Sequence, residues 1–207
     1  MNKPYITLEK EGRADYTVER SVFIGTARHI DSEEEAVGFI KRIRKEFSDA
    51  KHNVYAYTLS KTNVTRYSDD GEPQGTAGLP ALDYIRKSGI NDACVAVTRY
   101  FGGILLGKGG LVRAYTETAK KACEAAGIIS LTEYTVFALD AEYRDLEKIR
   151  YELAFFGAVE DSAEYGNAVR LVFAVKSGVF EEVKKKLSEM SSGKCVIKVS
   201  GTRFDKI

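Results

Sequence analysis

The chain of 207 residues has few cysteines and prolines, no long apolar run and almost no net charge. Its three cysteines are odd in number and far apart, which favours reduced, buried thiols over a disulfide framework or a zinc site. A formal net charge of +1 gives no general attraction to nucleic acid or membranes, so any such binding must come from a local patch. The apolar runs fall far short of the roughly 20 residues that a membrane helix needs, and the first residues lack the apolar core of a signal peptide. We therefore expect a cytoplasmic protein without membrane partners.

One stretch, residues 66–115, carries two of the three prolines and nine of the eighteen glycines. Glycine serves where the backbone needs positive φ or a close approach, and each glycine costs chain entropy on folding. A segment that concentrates glycine beside fixed charges is more typical of a functional site than of packing. This stretch is therefore the first place where we expect a site.

The residues before this stretch, and those directly after it, predict a mixture of strands and helices. Apolar alternation or short apolar runs predict strands at residues 5–8, 15–19, 22–30, 53–59 and 93–98. Apolar residues at helical spacing predict helices at residues 32–47, 79–85 and about 111–126. The first helix opens with a capping box, because Glu35 stands three residues after Ser32. Residues 69–78, and the glycine-rich run before residue 111, are expected to be loops.

After Gly127 the pattern has a simpler rhythm. Strand patterns at residues 134–139, 159–165, 169–175 and 195–199 alternate with two matched helix stripes at 146–156 and 180–190. That order is β-α-β-β-α-β, the ferredoxin-like unit. We therefore predict an α+β protein of two domains, residues 1–130 and a ferredoxin-like domain of residues 131–207.

The glycine-rich run at residues 102–110 nearly matches the phosphate loop G-x-x-x-x-G-K-[ST]. Gly109 stands where a serine or threonine would hold Mg²⁺, so a nucleoside triphosphatase is excluded. What remains is a loop that offers free backbone N–H groups and a positive helix end, with Lys108 and Arg113 nearby. A tight strand-to-helix turn packed by glycines is the equal alternative.

An acidic loop follows Ser68 and offers three carboxylates, those of Asp69, Asp70 and Glu72. Such a group is able to hold a divalent ion or to supply an acid and a base. The spacing is not that of a calcium hand, and Asp69 equally suits the cap of a turn that Asp70 forms with Gly71. Only the number of carboxylates supports a metal, so we assign neither a metal ion nor another cofactor.

A third pattern interleaves cationic and aromatic side chains: His52, Tyr55, Arg66, Arg99, Tyr100, Phe101, Arg113 and Tyr115. Arginine forks pair with phosphate, and aromatic rings stack on bases. Arg99 ends a buried strand, so an internal ion network with Asp69, Asp70 or Glu72 is the equal alternative. His52 has no second histidine or suitable cysteine beside it, and no G-x-S-x-G elbow exists.

Two longer motifs carry a resemblance to a known family. They are D-D-G-E-P-x-G-T-A-G-x-P at residues 69–80 and R-Y-F-G-G-x-x-L-G-x-G-G-L-x-R-A-Y at residues 99–115, with shorter matches at residues 21–24 and 50–57. On these residues the chain resembles the YigZ/IMPACT family, and its ferredoxin-like tail is similar to the bacterial branch. The resemblance implies an N-terminal two-layer α/β domain like that of a small-subunit ribosomal protein and of domain IV of elongation factor G.

The resemblance also implies a ligand surface and a field of activity. The eukaryotic branch restrains a translation-control kinase, and bacteria lack that pathway. For the bacterial branch, the resemblance therefore implies only a connection to nucleic acid or the ribosome. The positions that match the motifs are His52, Asn53, Arg66, Asp69, Asp70, Glu72, Thr76, Arg99, Gly102, Gly103, Lys108 and Arg113. Tyr100 and Phe101 join them as stacking faces.

We therefore expect a non-enzymatic, translation-linked regulatory protein. It would bind RNA, the ribosome or a translation factor through the loops at residues 66–72 and 99–113, with backbone amides, Lys108 and Arg113 holding phosphates. One alternative is a hydrolase-type enzyme for a phosphorylated or peptide-like small molecule, with His52 as base and a carboxylate of the acidic loop as acid. The other alternative is a protein–protein adaptor.

Overall fold

The computed structural model describes residues 5–191, 193 and 195–206, and these residues form two compact units. The first unit is Ile6–Ser130, and the second begins at Leu131 and includes Tyr5. Both contain helices and strands in an α+β arrangement, as the sequence predicts. No helix in the described part of the chain is long and apolar enough to cross a membrane.

The described elements up to residue 130 include six strands and three helices, and five of the strands form one antiparallel sheet. The strands are β1 (Tyr5–Leu8), β2 (Gly12–Val18), β3 (Ser21–His29), β4 (His52–Leu59), β5 (Val64–Ser68) and β6 (Ala93–Tyr100). The helices are α1 (Glu33–Glu46), α2 (Gly78–Lys87) and α3 (Gly107–Ala126). The order in the sheet is β2-β3-β6-β4-β5, with every neighbouring pair antiparallel. The central position of β6 explains the apolar run at its residues 93–97, because both faces of the strand are buried there.

The sheet is covered on both faces. On one face α2 and α3 pack over residues such as Phe23, Val54 and Val97. On the other face α1 packs over Tyr57 and Cys94. Helix α1 thus adds a layer on the face of the sheet opposite to α2 and α3.

The first helix begins as predicted. The Ser32 hydroxyl accepts the N–H of Glu35 at 3.2 Å, and three glutamates occupy the first turn. A side-chain oxygen there satisfies one of the free N–H groups of the helix end, and the acidic side chains favour the positive end of the helix dipole. This start of α1 is thus confirmed.

Two boundaries differ from the prediction where the candidate site lies. Residues 64–68 form the edge strand β5, which its local sequence does not predict because only Val64 is apolar and aliphatic. Pairing with β4 orders this strand. Helix α3 begins at Gly107 and not near Leu111, so three glycines expected in a loop lie in its first turn. Gly107 has φ +65°, a conformation that glycine adopts without strain.

The second unit has the predicted β-α-β-β-α-β order. Its strands are β7 (Ile128–Ala141), β8 (Val159–Tyr165), β9 (Val169–Lys176) and β10 (Ile197–Lys206), and its helices are α4 (Leu146–Phe155) and α5 (Phe180–Met190). Antiparallel pairing gives the order β10-β7-β9-β8, the ferredoxin-like sheet. Phe137, Leu171 and Phe173 of the sheet pack with Leu153 and Leu187 of the helices. The last strand begins two residues after the predicted start and runs further, to residue 206.

Candidate functional site

Three side chains from neighbouring strands form a row near one end of the first sheet. His52 on β4 lies opposite Arg99 on β6, and Arg99 lies opposite Phe23 on β3. Residues directly opposite in antiparallel strands point to the same face of a sheet. Phe23 is fully buried in the core beneath α3, and this fixes the face for all three. The register of the sheet thus brings a histidine and an arginine side by side.

The carboxylate of Glu72 completes this row and is almost fully enclosed, with its side chain 4% exposed. Its Oε1 atom accepts hydrogen bonds from Arg99 Nη1 at 2.7 Å and from the Tyr115 hydroxyl at 2.8 Å. His52 Nε2 lies 4.0 Å from the same oxygen. A buried carboxylate is strongly unfavourable without such partners, so these contacts allow Glu72 to be enclosed. Burial and the Glu72 carboxylate raise the pKa of Tyr115, which therefore stays a hydrogen-bond donor.

The guanidinium of Arg99 lies close to two aromatic rings. Its Cζ atom lies 5.4 Å from the ring centre of Phe23 and 5.5 Å from that of Phe101. Aromatic ring faces attract the positive charge, and the guanidinium offers its hydrogen bonds only in its own plane. Nη1 donates to Glu72, whereas Nε is buried and has no partner in the described residues. Phe101 follows β6 and is 51% exposed, so one of the two rings beside Arg99 lies at the surface.

The ring of His52 is oriented by the turn after β5. Its Nδ1 atom lies 2.7 Å from the carbonyl oxygen of Asp70. Because a carbonyl only accepts hydrogen bonds, Nδ1 carries the proton, and Nε2 is the atom near Glu72. The turn has positive φ at Asp70 and Gly71, and a Cβ atom at Gly71 would lie 3.5 Å from the imidazole. The sharp turn thus sets both the tautomer and the direction of the ring.

The other two carboxylates of the acidic loop hold the backbone. Asp69 accepts three N–H groups at the start of α2, from Gly75 at 2.8 Å, Ala77 at 3.1 Å and Gly78 at 2.8 Å. Asp70 accepts the N–H of Asn53 at 2.7 Å and Arg44 Nη2 at 2.9 Å. Helix starts leave free N–H groups that need such acceptors. Of the two interpretations of this loop, the geometry favours capping for Asp69. The described residues contain no group of three His, Cys, Asp or Glu side chains placed to hold a metal.

Asn53 and Thr76 make similar local contacts. The Asn53 amide oxygen accepts the hydroxyl of Thr98 at 2.7 Å, and the Thr76 hydroxyl donates to the carbonyl of Pro73 at 2.6 Å. All three of these polar side chains are buried. They stabilise the loop and the sheet beside it and do not face an open surface.

The glycines after β6 have different roles. A Cβ atom on Gly102 would lie 2.0 Å from the backbone carbon of Arg20, so only glycine fits there, and its N–H donates to Ser21 Oγ at 3.1 Å. Gly103 has φ +85° and open space around it. Close packing therefore explains why residue 102 is glycine. This agrees with the alternative interpretation of the loop as a tight strand-to-helix turn packed by glycines.

Lys108 and Arg113 lie on the exposed side of the first two turns of α3. Neither has an ion-pair partner within residues 5–191, 193 and 195–206, and no side chain caps the start of the helix. A groove of about 370 Å³ lies beside Arg113 and is bordered by Tyr16 and Leu105, among other residues. This part of the first unit combines positive charge with exposed apolar surface.

Two residues of the predicted surface lie on the opposite face of the sheet. Arg66 is in β5, where it pairs with Tyr57 on the face covered by α1, and its Nε lies 3.9 Å from Glu33 Oε1. Tyr100 donates to Asp49 at 2.7 Å, and that carboxylate raises the pKa of its hydroxyl. Residues 66–72 therefore do not form one loop, because Arg66 and Glu72 face different sides of the sheet.

Sequence reasoning left out Phe23 and gave Tyr115 no partner. Phe23 lies within one of the shorter motif matches, but nothing local relates it to Arg99, which is 76 positions away by sequence number. Tyr115 follows the helical spacing of a core residue, and it is a core residue whose hydroxyl also reaches Glu72. Only the strand register reveals the first contact, and only the position of α3 over the sheet reveals the second.

The fold and the site define a two-unit α+β protein whose first unit encloses a charged cluster of His52, Glu72, Arg99 and Tyr115. Residues 19–123 match the Impact N-terminal domain, and residues 139–194 match a domain of unknown function (DUF1949). The chain belongs to the IMPACT family.

Relatives of similar length are found in bacteria. The chain is 33% identical to the IMPACT family member YvyE of Bacillus subtilis, over 94% of this chain and 90% of that protein. It is 34% identical to the IMPACT family member YigZ of Escherichia coli, over 85% of this chain and 88% of that protein. A crystal structure described as that of a hypothetical protein is 30% identical, with a TM-score of 0.60 over 95% of this chain and 97% of that one.

Proposed function

We propose that this protein is a translation-linked regulatory protein that binds RNA on the surface of Phe101, Lys108 and Arg113. The observation that carries the proposal is the combination, within residues 101–113, of a half-exposed aromatic ring and two exposed cations. Neither cation has an ion-pair partner in the part of the chain that the structure describes. In a chain of formal net charge +1, a cation that no acidic group neutralises is a local source of attraction for phosphate. Family membership supports the link to translation.

The three residues would divide the work of binding. Lys108 and Arg113 neutralise phosphates, and the uncapped N–H groups at the start of α3 add hydrogen-bond donors at the positive end of the helix dipole. Phe101 offers the exposed face of its ring to a base. The apolar walls of the groove beside Arg113 favour an unpaired base, which points to single-stranded RNA.

The proposed surface is smaller than the one expected from sequence. Arg66 lies on the opposite face of the sheet beside Glu33, and the carboxylates of Asp69 and Asp70 are occupied by backbone N–H groups and Arg44. These residues are therefore left out of the RNA surface. Arg66 becomes a useful control, since it is an exposed arginine of the same unit.

The test measures binding of a labelled single-stranded oligoribonucleotide by fluorescence anisotropy, from about 50 to about 200 mM salt. For single strands, the logarithm of the affinity falls with the logarithm of salt by about 0.7 for each phosphate neutralised. Arg113→Ala and Lys108→Ala should each weaken binding and reduce that slope by about 0.7, because each removes one phosphate contact. Phe101→Ala should weaken binding with the slope unchanged. Arg66→Ala should leave both unchanged.

Two results would contradict the proposal. One is binding that does not depend on salt, because the two cations would then contribute nothing. The other is an equal loss in Arg66→Ala and Arg113→Ala, because the effect would then follow the total charge of the protein and not this surface.

A second candidate function, a hydrolase-type enzyme, is favoured by the geometry of His52 alone. The Nδ1–H group donates to the carbonyl of Asp70, as a histidine base does to its orienting partner, and Nε2, the basic atom, lies 4.0 Å from Glu72 Oε1. Asp69 and Asp70 no longer serve as the acid, since both bind backbone N–H groups. This candidate predicts turnover of a chromogenic phosphate ester or peptide amide that His52→Asn abolishes without unfolding the protein. Absence of turnover with both substrate classes would remove it.

A further inference from the structure

The guanidinium of Arg99 has one hydrogen-bonding edge in use and one edge free. Nη1 donates to Glu72, and no hydrogen bond from Nε or Nη2 exists in the described residues. Nε is buried, and the side chain as a whole is 7% exposed. Nearly all buried donors in folded proteins have a partner, so an enclosed arginine N–H without one calls for an explanation. A ligand that supplies the acceptor is such an explanation.

The shape of the free edge defines the ligand chemistry. Nε and Nη2 present two parallel N–H groups, which match two oxygens of one phosphate or carboxylate group. The N–H groups of a guanidinium lie in its plane, so an acceptor has to approach in that plane. The rings of Phe23 and Phe101 lie close by, with their centres 5.4 and 5.5 Å from Cζ. Glu72 holds the opposite edge and is itself satisfied by Tyr115, so the guanidinium keeps its place when the free edge is filled.

The enclosure also limits the size of the ligand group. A phosphodiester within a strand carries a nucleoside on each side, and both would have to enter beside a side chain that is 7% exposed. A terminal phosphate has only one attachment and is able to enter alone. The half-exposed ring of Phe101 lies directly over Arg99 and offers its outer face to a base of the same nucleotide.

We propose that the free edge of Arg99 binds the terminal phosphate of a nucleotide or of an RNA end, with the base stacked on Phe101. The proposal rests on the proposed function for the choice of a nucleotide as ligand. It adds a specific subsite, because Lys108 and Arg113 attract any phosphate of a strand, whereas the Arg99 edge accepts only a terminal one.

The experiment compares two oligoribonucleotides of the same sequence, one with a 5′-phosphate and one with a 5′-hydroxyl. The phosphorylated strand should bind at least about tenfold more tightly, the effect expected for one charge-assisted, bidentate contact. Arg99→Lys keeps a positive charge beside Glu72 but loses the second edge, so it should remove the preference for the 5′-phosphate. Arg113→Ala is the matched control, since it should weaken both strands by the same factor.

A measurement on the unaltered protein covers the case in which Arg99→Lys does not fold. The Nε–H signal of Arg99 in a proton–nitrogen NMR spectrum should shift when adenosine monophosphate is added and should stay in place when adenosine is added. Acetate and inorganic phosphate at the same concentration should cause smaller shifts. Equal shifts with these ions would overturn the nucleotide assignment, because the edge would then bind any small oxyanion.

The outcomes separate this inference from the RNA-binding function. Equal affinity for the two strands overturns the terminal-phosphate subsite and leaves the surface of Phe101, Lys108 and Arg113 intact. A shift of the Arg99 Nε–H signal with adenosine monophosphate, together with no binding of either strand, keeps the subsite and overturns RNA binding. A tenfold preference that Arg99→Lys abolishes supports both.

Discussion

Replacing Glu72 by glutamine tests how much the charged cluster stabilises the first unit. The side chain is 4% exposed, and its Oε1 atom accepts hydrogen bonds from Arg99 and Tyr115. Glutamine keeps the shape and one acceptor oxygen but removes the negative charge, so Arg99 stays buried without a counter-charge. Hydrogen bonds to charged groups contribute about 1.5–3 kcal/mol, and loss of one partner of a buried ion pair costs about 3–5 kcal/mol. Because the acceptor oxygen remains, we expect Glu72→Gln to lower the free energy of unfolding by about 2 kcal/mol.

The assay is native-state amide hydrogen exchange, because two compact units need not unfold together. Amides of β4 and β6 report on the first unit, and amides of β9 and α5 report on the second as an internal control. A loss of about 2 kcal/mol should accelerate exchange in β4 and β6 about 30-fold, and exchange in β9 and α5 should not change. An acceleration below about threefold in β6, or an equal one in both units, would refute the reasoning.

A companion variant tests the cause of the loss. The triple substitution Glu72→Leu, Arg99→Met and Tyr115→Phe replaces the whole polar cluster by apolar groups of similar size. Apolar replacement of a complete buried ion pair is often neutral or stabilising, whereas removal of one partner is not. The triple variant should therefore be more stable than Glu72→Leu alone. If it is less stable, the cost does not come from an uncompensated charge.

Two further predictions concern the glycines and the thiols of the chain. Gly102→Ala should destabilise the first unit by about 3 kcal/mol, because the new Cβ atom meets the backbone of Arg20. Gly109→Ala should stabilise it by up to about 1 kcal/mol, because Gly109 lies within α3 and the new Cβ atom makes only an ordinary contact, 4.0 Å from Arg113 Nη1. Urea unfolding, followed by hydrogen exchange in β6, measures both changes. Burial raises the pKa of Cys123 to about 12 and also raises the pKa of Cys195, which is less buried. Iodoacetamide at pH 8 should therefore modify Cys195 first and Cys123 only when the protein unfolds. Peptide mass spectrometry would detect the order of modification. The pKa of the buried Cys123 thiol is raised in the folded state, so the thiol's contribution to stability is complete below the ordinary thiol pKa of 9.0 and is lost as pH rises towards 12. The unfolding midpoint should therefore fall between pH 9 and pH 12. A midpoint that stays constant over this range would contradict the raised pKa of Cys123.

Much of the fold follows from local patterns. The β-α-β-β-α-β order of the second unit is visible because each strand and helix there has its own apolar periodicity, with Val169 to Lys176 alternating and α5 amphipathic. The start of α1 is visible because Ser32 and Glu35 act within one turn. β5 and the first turn of α3 are not predictable from local patterns. Strand β5 is ordered by its pairing with β4. The first turn of α3 is helical despite its three glycines because Leu111 and Tyr115 pack the following turns on the sheet.

The site was predictable as a set of residues but not as a set of contacts. Sequence reasoning offered Arg99 three carboxylates, and the structure pairs it with Glu72. Asp69 is taken by the N–H groups at the start of α2, and Asp70 is taken by Arg44 and the backbone of Asn53. These choices depend on where α1 and α2 lie relative to the loop, which no local pattern encodes. The same reason separates Arg66 from the surface that was expected to include it.

The energetics of the cluster favour a role in binding over a role in stability alone. A buried ion pair is weak support for a fold, because apolar residues of the same volume fill such a place equally well. If the pair of Arg99 and Glu72 served only to hold the acidic loop to the sheet, we would expect every buried N–H donor of Arg99 to have an acceptor. Instead Nε of Arg99 is enclosed without an acceptor in the described chain, beneath a ring of Phe101 that is 51% exposed. An arginine held in place on one edge and free on the other is suited to bind an oxyanion, and that combination is what the comparison of 5′-phosphate and 5′-hydroxyl strands tests.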